Sequence, residues 1–493
     1  MALFGKKLAE AKIWHRPNME TLQRTANRGS VSTGYDIDNS LKLEDDNTEN
    51  LYRALNGSTS TTKFTISMWA KRTEINGSQL LYHRGVAGNE GVFLRFATEN
   101  ASYPEALQVD IGASGTNSRS YTTASFRDTS AWYHVVLAVD TTQSTATDRF
   151  KLYVNGNLIT DFASRNNPAE DFAMEVSSAK HRHGAYNDTD GFAGYCGYIA
   201  ECHYIDGSQV AQTEFGEVDS DSGIWKPKAY AGSYGTGGYY LDFEASGDLG
   251  ANAEGDGVDF TLNNIAAADQ STDTPTNNFC TLNPLVNFKY GTNAGGMTNG
   301  ATVFGDNTGG GIGGAFGTFA VTAGKWYWEV KLTEQVAHYI GISAYPDDGD
   351  NVLSTSDPHQ VNSSFVFNIS GARIEYIDGG SVTAGSADAF TDFHSVGDVI
   401  SIALNMDDNQ ISMYGNGTLQ AGVANTSIFD AANKMVVPFH GTINDECQYN
   451  FGGYSVWTPS SVQNDENGYG TFEYAPPSGY YALCTQNLAL YGG

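Results

Sequence analysis

Phe64-Thr65-Ile66-Ser67-Met68-Trp69 sets apolar side chains at every second position with small polar ones between them. Successive side chains of a strand point to opposite faces, so this alternation predicts a strand with one buried face. Downstream, Trp132 to Val139 is a more continuous apolar run, as suits a strand between two covered faces. Lys151-Leu152-Tyr153-Val154 then leads into Asn155-Gly156, a pair that favours the φ > 0 conformations of a tight hairpin. The second half continues in the same style. Trp326-Tyr327-Trp328-Glu329-Val330 and Tyr339-Ile340-Gly341-Ile342 read as strands, and Val399 to Leu404 and Ile411 to Tyr414 flank the polar turn Asn405 to Gln410. No residue-level repeat links the two halves.

The composition agrees with these stretches. Among 493 residues there are 28 Tyr, 25 Phe and 56 Gly, only 12 Pro, and 17% charged residues. Aromatic and β-branched residues suit pleated, half-buried surfaces, and Gly suits the turns between them. The prediction is an all-β chain of two jelly-roll-type β-sandwich domains joined by a Gly-rich connector, with a short N-terminal helical anchor. The divisions are a basic anchor segment at 1–34, a first sandwich at 35–212, a Gly/Asp/Asn-rich connector at 213–284, a second sandwich at 285–457 and a C-terminal segment at 458–493. Tyr239-Tyr240-Leu241-Asp242-Phe243 reads as a strand inside the connector, so that segment is either a linker or an ordered apron over a neighbour.

The net charge is −29, which keeps a surface soluble and repels nucleic acid. The charge is uneven. Residues 1–31 carry Lys6, Lys7, Lys12, Arg16, Arg24 and Arg28 against Glu10 and Glu20. A basic head on an acidic body points to a separate docking role for that end. Phe4, Leu8 and Ala11 share one face at helical spacing before Pro17. The five cysteines, Cys196, Cys202, Cys280, Cys447 and Cys484, match no zinc or redox spacing. Cys196 and Cys202 on one strand lie roughly 20 Å apart, too far for a bridge. Buried thiols and synthesis in a reducing cytoplasm are expected. Neither a secretory h-region nor a membrane-spanning apolar stretch is visible, so membrane insertion is not expected.

Four further stretches carry a resemblance. Phe64 to Trp69, Trp132-Tyr133-His134-Val135-Val136, Lys151 to Gly156, and Phe192-Ala193-Gly194 with Gly197-Tyr198-Ile199-Ala200-Glu201 resemble, in order, strands of the laminin-G-like, concanavalin A-type lectin family. Gly324 to Val330, Tyr339 to Ile342, Val396 to Ile400 with Met413 to Gly417, and Asn450-Phe451-Gly452 resemble a SPRY domain. The order of these parts is similar to that in virion proteins of marine bacteriophages, often labelled tail-fibre or structural proteins. That likeness rests on Trp225-Lys226-Pro227, Tyr240-Leu241-Asp242-Phe243, Asp273-Thr274-Pro275-Thr276-Asn277-Asn278 and Gly479 to Thr485.

Lectin-type sandwiches include glucanases with an E-x-D-x-x-E strand whose carboxylates protonate and attack the glycosidic bond. Glu44-Asp45-Asp46-Asn47-Thr48-Glu49 fits the letters, but its fillers are polar, so a solvated acidic loop is expected and no catalytic site is assigned. His181 and His183 are spaced to share a strand face, either as a metal pair or as an exposed polar strand end. Calcium is a candidate cofactor, because laminin-G-like sites often bind it through Asp and carbonyl oxygens. Asp347, Asp348 and Asp350 around Gly349 form one oxygen-rich loop, and Asp219 and Asp221 before Gly223 form another. Candidate ligand-binding residues are the loop side chains Tyr103, Tyr121, Tyr186, Asn187, Asp188 and Tyr345, whereas Trp69, Trp132, Trp326 and Trp328 are expected in cores.

The resemblance implies a non-enzymatic phage virion surface protein. It would be a fibre-like adhesin that binds host-surface glycans or proteins through its sandwich loops and meets other virion proteins through residues 1–31. A capsid or tail decoration packed against virion neighbours is the alternative, and a glycan hydrolase a third reading. A homotrimer follows only from how fibres are usually built, and no heptad repeat supports it.

Overall fold

The computed structural model describes residues 34–492 except 45–47, 58, 76, 87–90, 98–101, 113–118, 176–177, 187–193, 221, 291–295, 306–311, 335–337, 345–363, 379–380, 385–388, 391–394, 421–425, 428–434 and 444–445. The expected N-terminal helix lies outside the described residues. Within them the regular structure is nearly all strand, and the helix Thr485–Tyr491 follows the last strand. No helix among the described residues is long and apolar enough to cross a membrane.

The first sandwich has two antiparallel sheets. One runs in the order Asn157–Leu158, Phe150–Val154, Tyr133–Asp140, Lys63–Arg72, Gly197–Asp206, Ser40–Leu43 and Gln270–Ser271. The other runs Phe162–Ser164, Arg119–Ser125, Ala106–Gly112, Gly91–Ala97, Ser78–Gly85, Lys180–His183, Asn50–Ala54 and Thr261–Asn263. The alternation at Phe64 to Trp69 sends Phe64, Ile66 and Met68 into the core between the sheets, but the other face is covered as well: Thr65 and Ser67 are fully buried, and Trp69 joins Trp132 and Tyr198 in a cluster outside that core. The Asn155-Gly156 hairpin forms with φ of 47° and 77°. Gly156 is also needed for space, because the Trp225 ring lies where a Cβ would sit.

The second sandwich pairs two further sheets. One contains Leu282–Tyr290, Ile312–Gly317, Val436–Ile443, His338–Ala344, Ser364–Asn368, Arg373–Asp378 and Ser381–Ala384. The other is centred on Lys325–Leu332, between Glu446–Asn450 and Val399–Asn405. Trp326 and Trp328 are fully buried in its core, as expected. Their neighbour Glu329 is buried too. It accepts backbone N–H bonds from Glu473 and Tyr474 at 2.8 Å, which ties the C-terminal segment to this strand. Burial pushes its carboxyl up to about 7, against those bonds.

In its described residues the stretch 213–281 lies over the first sandwich, and Leu282 begins the second. Tyr239–Leu241 pairs with Gly197–Asp206, Thr261–Asn263 with Asn50–Ala54, and Gln270–Ser271 with Ser40–Leu43. Its last residues make the joint between the sandwiches. Lys71 Nζ, fully buried, donates to Asp273 Oδ2 at 2.6 Å, Asn278 Oδ1 at 2.7 Å and the Phe279 carbonyl at 2.9 Å. Trp132 Nε1 holds the other Asp273 oxygen at 3.0 Å, and Ser40 Oγ donates to the Asp273 carbonyl. From there Thr272 N reaches the Gly453 carbonyl, and Asn278 exchanges bonds with Thr485.

Two expectations from the sequence are corrected. Glu44 and Glu49 do not lie in a solvated loop; both are buried, at 1% and 4% exposure. Glu49 pairs with buried Lys42 at 2.9 Å, so a nearby amine removes the reason for exposure. His181 and His183 are not an exposed strand end. Their strand is paired on both sides, and both rings point inward, His181 to Tyr82 OH and His183 to Tyr239 OH. The cysteines are buried free thiols.

Removing one partner of a buried pair strands the other charge, at a cost of about 3–5 kcal/mol. Lys71→Ala is expected to lose that much and to split the thermal transition into two, as calorimetry would register; a single unshifted transition refutes the joint. His183 gives a pH prediction. Burial lowers it to about 4, whereas the unfolded chain takes up this proton near the ordinary 6.5. The unfolded state therefore binds more protons between these values, and stability falls as pH drops from about 6.5 towards 4, by roughly 3 kcal/mol at most from this group. Urea midpoints across this window should fall less steeply in His183→Gln than in the parent protein.

Candidate functional site

The strand Gly197–Asp206 changes phase in mid-course. Ile199 faces the core and Ala200 the outer cluster, as alternation requires. Ala200 pairs with Trp69 and His203 with Ser67, so Glu201 and Cys202 together oppose Met68 alone. This is a β-bulge, and Glu201 takes a left-handed φ of 52° to make it. Cys202 and Tyr204 then enter the core, while Glu201 and His203 are both left on the outer face. A non-glycine residue held at positive φ beside a cleft is a common mark of a functional position.

Over this face the chain lays tyrosines. Tyr240, from the strand paired to Cys202 to Tyr204, stacks on His203 with centroids 4.3 Å apart and planes within 8°. Tyr35 arrives from the segment before the first strand. Tyr230 and Tyr234 come from the Gly-rich loop and meet edge to face. With Glu254 and the backbone of 231–235 they line a cleft of about 510 Å³. Gly235 is required there: its φ is +77°, and a Cβ would meet the Asp206 carbonyl at 2.4 Å.

Glu201 is the anion beneath the rings. Tyr240 OH donates to Oε1 and Tyr35 OH to Oε2, each at 2.6 Å, and His203 Nε2 is 3.5 Å from Oε2. Burial works against its charge, yet bonds from His203, Tyr240 and Tyr35 outweigh burial and hold the carboxyl below its usual range. Burial and then the Glu201 charge push Tyr35, Tyr234 and Tyr240 up, so their hydroxyls stay protonated. Tyr234 OH completes the set with His203 Nδ1 at 3.0 Å. The result is a rigid wall of aromatic faces and fixed hydroxyls, with a carboxylate too acidic and too committed to be a good proton donor.

None of the candidate ligand or metal residues that lie among the described residues lines this cleft. Tyr103 and Tyr121 stack on each other at 4.7 Å beside Ala97 and Ala106. Tyr186 packs against His83 and Phe93. Asp219 shapes a turn: Oδ1 accepts from Ser222 N and Oγ, and Lys226 Nζ is 3.3 Å from Oδ2. Asn187, Asp188, Asp221, Tyr345, Asp347, Asp348 and Asp350 lie outside the described residues. The signal that could have found the cleft is the broken alternation Ile199-x-x-Cys202-x-Tyr204, with a glutamate at the break.

Comparison with known proteins agrees with this architecture. Residues 44–207 match the family model of the concanavalin A-like lectin/glucanases superfamily, and residues 325–454 match that of the SPRY domain. The chain thus contains a concanavalin A-like domain and a SPRY domain, both folds of binding modules. Among solved structures it is similar to the SPRY domain of human HERC1, at 16% identity over 34% of this chain and 96% of that one, with a TM-score of 0.26. A putative carbohydrate binding protein from Bacteroides ovatus shows 16% identity over 47% of this chain and 60% of that one, with a TM-score of 0.32. A heptameric SAP-like pentraxin from Limulus polyphemus shows 12% identity over 36% and 80%, with a TM-score of 0.28. No curated protein matches the chain. Of the residues lining the cleft, only His203 falls within the matched span.

Hydrogen bonds to a charged group contribute about 1.5–3 kcal/mol. A double-mutant cycle between Tyr240→Phe and Glu201→Gln, read by urea denaturation, is expected to give coupling in that range; additive effects would show that the pair does not act as a unit.

Proposed function

We propose that this chain is a non-catalytic binding protein of a phage particle, a fibre-like adhesin that holds host-surface glycans in the tyrosine cleft of its first sandwich. The observation that carries this reading is the cleft itself: four tyrosines and a histidine arranged around a fixed carboxylate in about 510 Å³. Tyrosine offers a flat apolar face with a polar tip, which matches the alternating C–H faces and hydroxyls of a sugar ring. Fixed hydroxyls and backbone groups on the loop supply direction, as specific small-ligand sites require.

The carboxylate supports binding over hydrolysis. Both Glu201 oxygens are engaged and its acidity is raised, the opposite of what a glycosidase general acid needs. The particle assignment draws on the order of the domains, the acidic body with its basic head, and the buried free thiols, which fit synthesis in a host cytoplasm. In this reading residues 1–31 dock to the virion, and many copies on one particle raise weak single-site affinity through effective concentration.

The test is a glycan array probed with the full chain displayed multivalently on beads. Binding to a defined glycan set is expected, with at least about a tenfold loss in Tyr234→Ala, the cost of one lost stacking and hydroxyl contact of roughly 1.4 kcal/mol. Absence of glycan binding at high valency sinks the adhesin reading and leaves the decoration role. Binding that survives Tyr234→Ala and Tyr230→Ala together moves the site elsewhere.

A further inference from the structure

Three neighbouring strands end at the same edge of the first sandwich. Glu44 follows Ser40–Leu43, Glu74 follows Lys63–Arg72, and Cys196 precedes Gly197–Asp206. The register places these ends side by side: Leu43 opposes Gly197, Gly197 opposes Arg72, and Thr73 N donates to the Cys196 carbonyl. One ligand atom from each of Glu44, Glu74 and Cys196 lies within 4.8 Å of the other two.

Glu44 is the informative member. It is 1% exposed, and its Oε2 accepts the Gly300 N–H, from the second sandwich, at 3.2 Å. Its Oε1 is buried with no N–H or O–H donor on it, and the Cys196 thiol is the polar group that faces the carboxylate there. Leaving a buried acceptor bare costs on the order of 1–3 kcal/mol, and more for a charged one. Lys42 favours the charge from a distance but makes its ion pairs with Glu49 and Asp269 at 2.9 Å each, not with Glu44. A second carboxylate beside the first raises the cost further. A buried oxygen without an N–H or O–H donor, a neighbouring carboxylate and a thiol together make a donor set that a cation completes.

We propose that Glu44, Glu74 and Cys196 bind a thiolate-accepting divalent transition ion, zinc being the working example, at the joint between the two sandwiches. Sulfur in the set selects against calcium and magnesium, which prefer oxygen alone, and three protein donors leave the fourth tetrahedral position for water. Binding forms one metal–sulfur and two metal–oxygen bonds and releases the Cys196 proton to solvent. The ion would fix Glu44 where it receives Gly300, whose carbonyl in turn accepts from Tyr198 OH at 2.9 Å. This site shares no residue with the tyrosine cleft, and its failure would leave the glycan reading untouched.

The full chain, stripped with chelator, is titrated with Co²⁺. A near-ultraviolet thiolate-to-cobalt band that saturates at about one equivalent is expected, with displacement by Zn²⁺ and a rise in melting temperature. Cys196→Ser should abolish the band. Glu44→Gln keeps shape and hydrogen bonding to Gly300 and should weaken zinc at least about tenfold, with the far-ultraviolet circular dichroism unchanged. No band in the parent protein overturns the proposal, as does a band that persists in Cys196→Ser. If Cys196→Ser does not fold, Glu44→Gln decides alone: unchanged zinc affinity means that Glu44 is a protonated acid and no ligand.

Discussion

An ammonium with no access to water has to find its charge and its hydrogen bonds inside the protein, and Lys71 finds both in the connector. Its three donor positions are taken by Asp273, Asn278 and the Phe279 carbonyl. The partner carboxylate is held in turn by Trp132. Burial pushes the Asp273 carboxyl up, and the lysine beside it works against that burial. Because an unmatched charge is so costly in such a place, the connector has one position available to it, and Gly453 and Thr485 of the second unit dock onto what that position presents. The relation between the sandwiches is therefore settled by electrostatics and hydrogen bonds, with Phe279, Tyr327, Phe472 and Cys484 filling the apolar space beside them.

The tyrosine cleft depends on the same ordering of the connector. Tyr230, Tyr234 and Tyr240 belong to a stretch whose composition is that of a linker, with little apolar content. It is structured because three of its short strands find edges to pair with, and because its aromatic residues stack on His203 and Phe215. Glycines there allow close approach and leave tyrosines as the only large side chains on the loop. A loop built this way can be rigid without having a core of its own.

Much of the fold was legible from residues. Alternation at Phe64 to Trp69, the continuous run at Trp132 to Val139 and the two hairpin turns each report a local period or a local φ requirement, and such signals survive into the folded state. The sites were not legible in the same way. Glu44, Glu49, His181 and His183 look solvent-bound by residue type, and only their partners reverse that: Lys42 close by for Glu49, and residues far along the chain for the other three. The Glu201 site needs residues 35, 201, 203, 234 and 240 together, which sequence separation hides. The motifs Asp273 to Asn278 and Gly479 to Thr485, notable in the sequence for reasons of likeness alone, turn out to meet at the joint.

The bulge at Glu201 has a consequence for how this protein can change. It inserts one residue into a strand whose two halves face the core in opposite phase, so core and cleft share a single reading frame along that strand. Substitution at position 201 alters the cleft and leaves the frame intact. Deletion of Glu201 would leave one residue opposite Met68 and restore plain alternation, with His203 still outward and Tyr204 still packed on Tyr82 and Tyr239, so the core would keep its frame and the cleft alone would lose its carboxylate. The strand can thus gain or lose the bulge residue, as well as change it, without disturbing the core on its other face, and the glycine-rich loop above it offers a second place for change.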